Sequence, residues 1–391
     1  MRTLDETDKL LLTLIQRQFP LVRRPYALLG HEMGVSEHET LRRTNKLREE
    51  GPIRQISAIF NTRSLGYRST LAAFRVLSGR LESAAQAVSA HPGVSHNYSR
   101  DHEYNLWFTI AVPPTSRLGL ERTVEILGRE VGALSILLLP TIKTFKIGVT
   151  LDMTDRPEQA LSAQTSTPAD EGDEMVEARA SSPGLSGPLP PSAGSEPISP
   201  FETLTDLNED EELPPLDPMD CSPPPLTAEQ IELVKNLQED IPAEIEPFGA
   251  GAGAVGLAVK DYLLRAQEFV KSGHMRRFAA VLHHREAGFV ANAMGVWAVP
   301  EERIEEAGRI MASFQDVSHC YQRPTYAGWP YSLFTMVHAR TPMECERIIG
   351  AIAQATGIAD HRVLYSVRDF KKMRVKYFTP EIEEWERSRT G

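Results

Sequence analysis

One seven-residue pattern occurs twice in this chain, as VSHNYSR over residues 94–100 and as VSHCYQR over residues 317–323. Along an extended backbone alternate side chains share a face, so His96, Tyr98 and Arg100 point one way, and so do His319, Tyr321 and Arg323. An imidazole moves protons near neutral pH or binds a metal, a phenol orients a polar group, and a guanidinium holds a carboxylate through paired N–H donors. Such groups are poor core material, and their repetition makes a merely solvated strand a weak explanation. A hairpin follows each copy. The second, PTYAGWPYS, carries Tyr326, Trp329 and Tyr331 where the first, DHEYN, carries His102 and Tyr104. Aromatic rings beside an imidazole suit a flat conjugated ligand.

Cations gather in the same half. RRFAAVLHHR places Arg276, Arg277, His283, His284 and Arg285 in ten residues, and RDFKKMRVKYF supplies Arg368, Lys371, Lys372, Arg374 and Lys376. Strict alternation puts Lys372, Arg374 and Lys376 on one face. With His319 and the aromatic residues, these cations outline a pocket for a large, flat ligand with several negative charges, whose carboxylates guanidinium groups would hold. Cys221, Cys320 and Cys345 form no CxxC pair, which speaks against a zinc ribbon or a disulfide framework.

The elements that must present these residues also repeat. Gly51 and Gly273, Arg54 and Arg276, Gly66 and Gly288, and Tyr67 and Phe289 match at an offset of 222, and the later motifs match with a drift to 226. The chain is a tandem duplication. In the first copy, apolar spacing predicts helices over 4–19, 25–33 and 36–49, the last two joined by Gly34-Val35-Ser36 as in a helix-turn-helix. Strands follow at 70–77, 94–100, 106–112 and 134–147, with helices at 80–91 and 117–131, the βαββαβ order of a ferredoxin-like unit. The fold class expected is therefore α+β, each half a helix-turn-helix followed by a ferredoxin-like domain. Between Asp155 and Leu226 lie 16 acidic residues, 2 arginines and 14 of the 28 prolines, a local charge of −14 in a chain of −11 overall. That composition reads as a disordered acidic tether between two mildly basic halves. The boundaries expected are 1–52, 53–154, a linker at 155–226, a degenerate helix-turn-helix at 227–273, and 274–391. No apolar run is long enough to span a bilayer and the start lacks a secretory pattern, so a cytoplasmic protein is expected.

The order of elements resembles the Lrp/AsnC regulators. DNA binding is nevertheless not expected, because the predicted recognition helix mixes Arg42, Arg43, Lys46 and Arg48 with Glu37, Glu39, Glu49 and Glu50, and the tether would repel phosphates. The motifs RRFAAVLHHRE, VSHCYQRPTYAGWPYSLFTMVHA and LYSVRDFKKMRVKYF resemble the siroheme decarboxylases, and VSHNYSRDHEYNLWFT resembles the companion subunit of that enzyme. The chain looks like a fusion of the two. The resemblance implies loss of CO₂ from two acetate side chains of siroheme, giving 12,18-didecarboxysiroheme for heme or dioxo-heme biosynthesis. It implies no cofactor beyond the iron tetrapyrrole substrate, pairing of the two halves within the chain, and room for a further homodimer. Under this reading His319 and His96 are general acids or ligands to the substrate iron, with Tyr321, Arg323 and Tyr98 beside them. Arg276, Arg277, His283, His284, Arg285, Arg100, Lys143, Trp329, Tyr331, Arg368, Lys372 and Arg374 would bind the substrate. A DNA-binding regulator and a non-catalytic heme sensor are the competing readings. The first half has Asn61-Thr62 where the second has His283-His284, which leaves open whether one half or both are catalytic.

Overall fold

The computed structural model describes residues 4–147, 225–282, 291–339 and 341–390. All but the last two residues of the expected tether lie outside the described residues, as do His283, His284 and Arg285.

The first half opens with three helices, α1 (Glu6–Arg17), α2 (Pro25–Met33) and α3 (Glu37–Glu49). Their ends are set by local chemistry. Asp5 accepts from the Asp8 amide at 2.7 Å and Ser36 from the Glu39 amide at 3.2 Å, so each satisfies an amide that the first turn leaves unpaired. Gly34 closes α2 at φ 69°, where a side chain is strained. Then come β1 (Ile53–Phe60), β2 (Arg68–Arg75), α4 (Leu81–Ala90), β3 (Val94–Arg100), β4 (Leu106–Val112), α5 (Gly119–Val131), β5 (Ser135–Leu139) and β6 (Lys143–Ile147). The second half repeats this order with α6 (Ala228–Leu237), α7 (Gly249–Ala254), α8 (Val259–Lys271), β7 (Met275–Leu282), β8 (Ala291–Trp297), α9 (Ile304–Ser313), β9 (Val317–Gln322), β10 (Leu333–Ala339), α10 (Pro342–Thr356) and β11 (His361–Lys372). A last helix, α11 (Glu381–Thr390), ends the described chain.

Each half lends its final strand to the other. The expected single strand at 134–147 is two, because Pro140 cannot donate to a ladder and the chain turns there. β5 pairs with β2 of its own half, whereas β6 pairs with β9 of the other. β11 makes the same crossing without a break: residues 361–365 pair with β8 and residues 366–372 with β3. The order is β5-β2-β4-β3-β11-β8-β10-β9-β6, and the chain runs directly from β5 into β6, so the sheet returns on itself with β3 and β9 on opposite sides.

Four apolar clusters hold this arrangement. One packs both sets of three helices against the β1–β7 pair, with Leu11, Ile15, Phe19, Tyr26, Phe248, Tyr262 and Phe278 buried together. β1 and β7 thus belong to the helical layer, although β1 was expected within the ferredoxin-like segment. Two more lie between each half's strands and its helices, and the fourth, the inter-sheet core, fills the interior between the two halves' portions of the nine-stranded sheet. The C-terminal helix α11 places Trp385 in the first half's strand–helix core. Its buried Glu386 accepts from the Arg117 amide at 3.0 Å and from Ser116 Oγ.

Candidate functional site

The two V-S-H-x-Y-x-R strands face each other across the interior with matching geometry. In each, the serine before the histidine is the extra residue of a β-bulge, lying between the Val94 and His96 pairings in β3 and the Val317 and His319 pairings in β9. A bulge re-aims neighbouring side chains, and here each serine hydroxyl reaches the adjacent imidazole. Ser95 Oγ lies 3.0 Å from His96 Nδ1, and Ser318 Oγ lies 2.9 Å from His319 Nδ1. The ring centroids of His96 and Tyr98 are 6.0 Å apart, and those of His319 and Tyr321 are 5.8 Å apart. Tyr98 stands opposite Trp107 and Tyr321 opposite Phe334, both residues of the inter-sheet core, so these faces look inward.

Burial decides the charge states. His319 is held down to about 4, first by desolvation and then by Arg276, Arg323 and His96, so at neutral pH it is an uncharged imidazole. His96, from the other half, lies near enough to bear on its charge. Desolvation also pushes both phenols, Tyr98 and Tyr321, above their ordinary value. Arg100 and Arg323 are tied to the backbone where the chain crosses between halves: Arg100 Nη1 donates to Leu364 O at 2.6 Å, and Arg323 Nη1 donates to Leu139 O. Each keeps an unpartnered, buried Nε and packs on its own strand's tyrosine. Each therefore has one guanidinium N–H already engaged by the backbone of a crossing strand.

Above this interior the β1–β7 pair contributes guanidinium groups. Arg276 and Arg277 are adjacent and, among the described residues, neither guanidinium makes an ion pair or hydrogen bond. Burial and Arg276 both lower Arg277. Arg374 donates to Ser57 Oγ and Ala58 O at 3.3 Å each and is held down to about 10 by desolvation, Arg277 and Arg54, still charged at neutral pH. Tyr377 joins them, its hydroxyl 2.8 Å from Thr62 Oγ1 and under the influence of Arg276 and Arg374. Sequence reasoning passed over Tyr377 and Arg54. The repeat offset that pairs Arg54 with Arg276 was the signal for the second. Guanidinium groups with no carboxylate partner among the described residues, beside a neutral imidazole, form a receptor for anionic groups.

Other candidates lie elsewhere. Two bulges in β11 shift the alternation, so Asp369 stands opposite Tyr98 and Lys372 opposite His96 on the inner face, while Arg368 and Lys371 turn to the helices. Arg368 pairs with Glu82 at 2.7 Å, and Lys371 Nζ donates to Ser89 O at 2.7 Å and His91 O at 3.2 Å at the end of α4. β11 ends at Lys372, so Arg374 and Lys376 do not extend its inner face, and Lys376 pairs with Glu239. Lys143 is paired with Glu305 at 2.6 Å. Trp329 and Tyr331 are packed rather than pocket-lining. Trp329 is 1% exposed, in edge contact with His102 (5.5 Å), Tyr104 (5.9 Å) and Tyr331 (5.0 Å), and belongs to the inter-sheet core. Among the described residues no group of three or more His, Cys, Asp or Glu side chains is placed to hold a metal.

Comparison with known proteins agrees with this architecture. A family model described as the siroheme decarboxylase NirDL-like HTH domain matches residues 8–54, and one described as the AsnC-like ligand binding domain matches 64–146 and again 286–371. The siroheme decarboxylase of Hydrogenobacter thermophilus is 36% identical over 381 residues, 97% of both chains. The chain belongs to the siroheme decarboxylase family. The siroheme decarboxylase beta subunit of Methanosarcina barkeri is 47% identical over 146 residues, which are 37% of this chain and 96% of that subunit. The crystal structure of the siroheme decarboxylase NirDL in co-complex with an iron-uroporphyrin III analogue superposes with a TM-score of 0.67 at 31% identity, covering 98% of each chain.

Proposed function

We propose that this chain is a siroheme decarboxylase, a carboxy-lyase that converts two acetate side chains of siroheme to methyl groups. The observation that carries the proposal is the single interior where two inward-facing His–Tyr pairs meet beneath guanidinium groups that have no carboxylate partner among the described residues. Siroheme is flat, brings its own iron and bears several carboxylates, so it matches both the aromatic interior and the unpaired cations. The relative solved with an iron-uroporphyrin III analogue supports the same ligand class.

In each step the bond between the acetate methylene and its carboxyl carbon breaks, CO₂ departs, and the electron pair stays on the methylene carbon, delocalised into the macrocycle. One proton then completes the methyl group, and no oxidant is consumed. The chain must hold the non-reacting carboxylates, leave the reacting one poorly solvated, and deliver that proton. Arg276, Arg277 and Arg374 are assigned the first task, with Lys372 on the inner face beside His96. The buried surroundings of His319, Tyr321 and Tyr98 supply the second. Proton handling falls to His96 and His319, which the tyrosines orient. Arg100 and Arg323 act indirectly, by fixing the strand crossings, and Arg323 also helps to keep His319 neutral. Since His96 and His319 serve one interior, both halves contribute to one site.

The regulator reading loses its footing on α3. Arg43 is bound to Asp5, Asp8 and Glu39, Arg42 to Glu39, Lys46 to Asp8 and Arg48 to Asp240, so no cation of this helix lacks an acidic partner. Anaerobic incubation of the purified chain with siroheme, followed by mass spectrometry of the tetrapyrrole, tests the proposal. Loss of two CO₂ is expected. A shifted absorption spectrum with unchanged mass would instead make the chain a tetrapyrrole-binding protein.

A further inference from the structure

The bulged serines decide what each histidine can do, and the two are wired differently. Ser318 Oγ lies 2.9 Å from His319 Nδ1 and 3.3 Å from the carbonyl oxygen of Met336. A carbonyl only accepts and a hydroxyl has one proton, so both contacts are satisfied together only when Ser318 donates to Met336 and accepts from Nδ1–H. The opposite direction, Ser318 donating to Nδ1, leaves one contact without a proton. Among the described residues the groups that bear on the ring besides serine are Arg276, Arg323 and His96, with no carboxylate among them, and such surroundings favour a bare nitrogen over an N–H on the far side of the ring. In the first half the residue in the place of Met336 is Thr109, and Ser95 Oγ lies 2.6 Å from Thr109 Oγ1. Two hydroxyls relay in either direction, so Ser95 does not by itself fix the tautomer of His96.

We propose that Ser318 is a positioning residue: held out by its β-bulge, it fixes His319 as the Nδ1–H tautomer and presents an Nε2 lone pair to the bound macrocycle. His319 then enters as an acceptor, for a proton or for the substrate's iron, while an Nε2–H donor is available only from His96, whose Ser95–Thr109 relay permits it. The two halves therefore divide the acid and base work of one site rather than duplicate it. This inference rests on the siroheme reading for its meaning, but the tautomer itself does not.

Imidazole ¹⁵N spectra of the full ligand-free chain, labelled at histidine, test it directly at neutral pH. The His319 signals are those missing from His319→Gln. A protonated Nδ1 and a bare Nε2 are expected in the wild type and in Ser318→Thr, with reversal to Nε2–H in Ser318→Ala. A wild-type His319 already protonated at Nε2, or a pattern unmoved by Ser318→Ala, overturns the proposal. Turnover supplies the second readout. Ser318→Ala is expected to lower siroheme turnover about 10- to 100-fold, as loss of a residue that orients an active histidine does, with iron-uroporphyrin III affinity unchanged and Ser318→Thr restoring the rate. Full turnover in Ser318→Ala also overturns it. If the wild type decarboxylates nothing, the functional proposal fails while the spectra still decide the tautomer.

Discussion

His319 is a neutral imidazole because desolvation, the Arg276 and Arg323 guanidiniums and nearby His96 refuse it a proton until about pH 4. Unfolded, the same ring titrates near 6.5. Above pH 6.5 both states are unprotonated and the group contributes nothing to pH dependence. As pH falls from 6.5 toward 4 the unfolded chain takes up a proton that the folded chain does not, so stability drops, by about 3 kcal/mol at pH 4. His91, buried beneath Trp385 and held down to about 3, acts in the same direction. Denaturant titrations at pH 7 and pH 4.5 should show a smaller difference for His319→Gln than for the wild type, and equal differences would mean the ring is not held neutral. The arginines separate by their partners. Arg276→Ala and Arg277→Ala remove no internal bond and should change stability by no more than about 0.5 kcal/mol, while weakening iron-uroporphyrin III binding about 10-fold or more. Arg323→Ala strands the buried Leu139 carbonyl and should destabilise the ligand-free protein by about 1–3 kcal/mol, measured by urea unfolding.

At the scale of elements, the crossing strands and α11 do most of the joining. The arginine ties stand at the crossings themselves, on Leu139 just before Pro140 and on Leu364 just before β11 passes from β8 to β3. Lys371 caps the end of α4, and its counterpart Lys146 donates to Phe314 O just after α9 at 2.7 Å, so each borrowed strand also closes a helix of the host half. α11 has no counterpart among the described residues of the first half. Its Trp385 is 9% exposed, meets His91 at 4.4 Å and lies under the Arg389 guanidinium at 4.1 Å. Trp385→Ala should lower the free energy of unfolding by about 3 kcal/mol through the cavity it leaves. A change below about 1 kcal/mol would show that α11 merely rests on the first half.

For the whole molecule the two halves are one folding unit. They share the helical core, the inter-sheet core and both strand crossings, so the covalent connection between them is not what holds them together. A specific protease site introduced between residues 155 and 220 and then cut should leave both fragments co-eluting on size exclusion and still binding iron-uroporphyrin III. Separation of the fragments without denaturant would contradict a shared core. That the Methanosarcina barkeri relative is named as a separate subunit fits this expectation.

The repeat, the helix ends and the inward-facing triplets were legible because they depend on neighbours in sequence. Spacing sets a helix face, Asp5 and Ser36 cap their own turns, and two-residue alternation aims His96 with Tyr98 and His319 with Tyr321. Alternation misled along β11, where two bulges each added a residue. Arg368 was expected at the ligand and lies against Glu82, and the run from Lys372 to Lys376 was read as one face of a strand that ends at Lys372. Trp329 carried the right chemistry for a ligand but was claimed by the core, since its neighbours His102, Tyr104 and Trp107 come from the other half. Which arginines remain unpaired, which carbonyl takes Arg323, and that two histidines 223 residues apart share one interior are set by contacts between segments distant in the chain. Local sequence carries no record of such partners. The sequence alone determined which groups the site would contain, and the tertiary structure decided which of them are free to act.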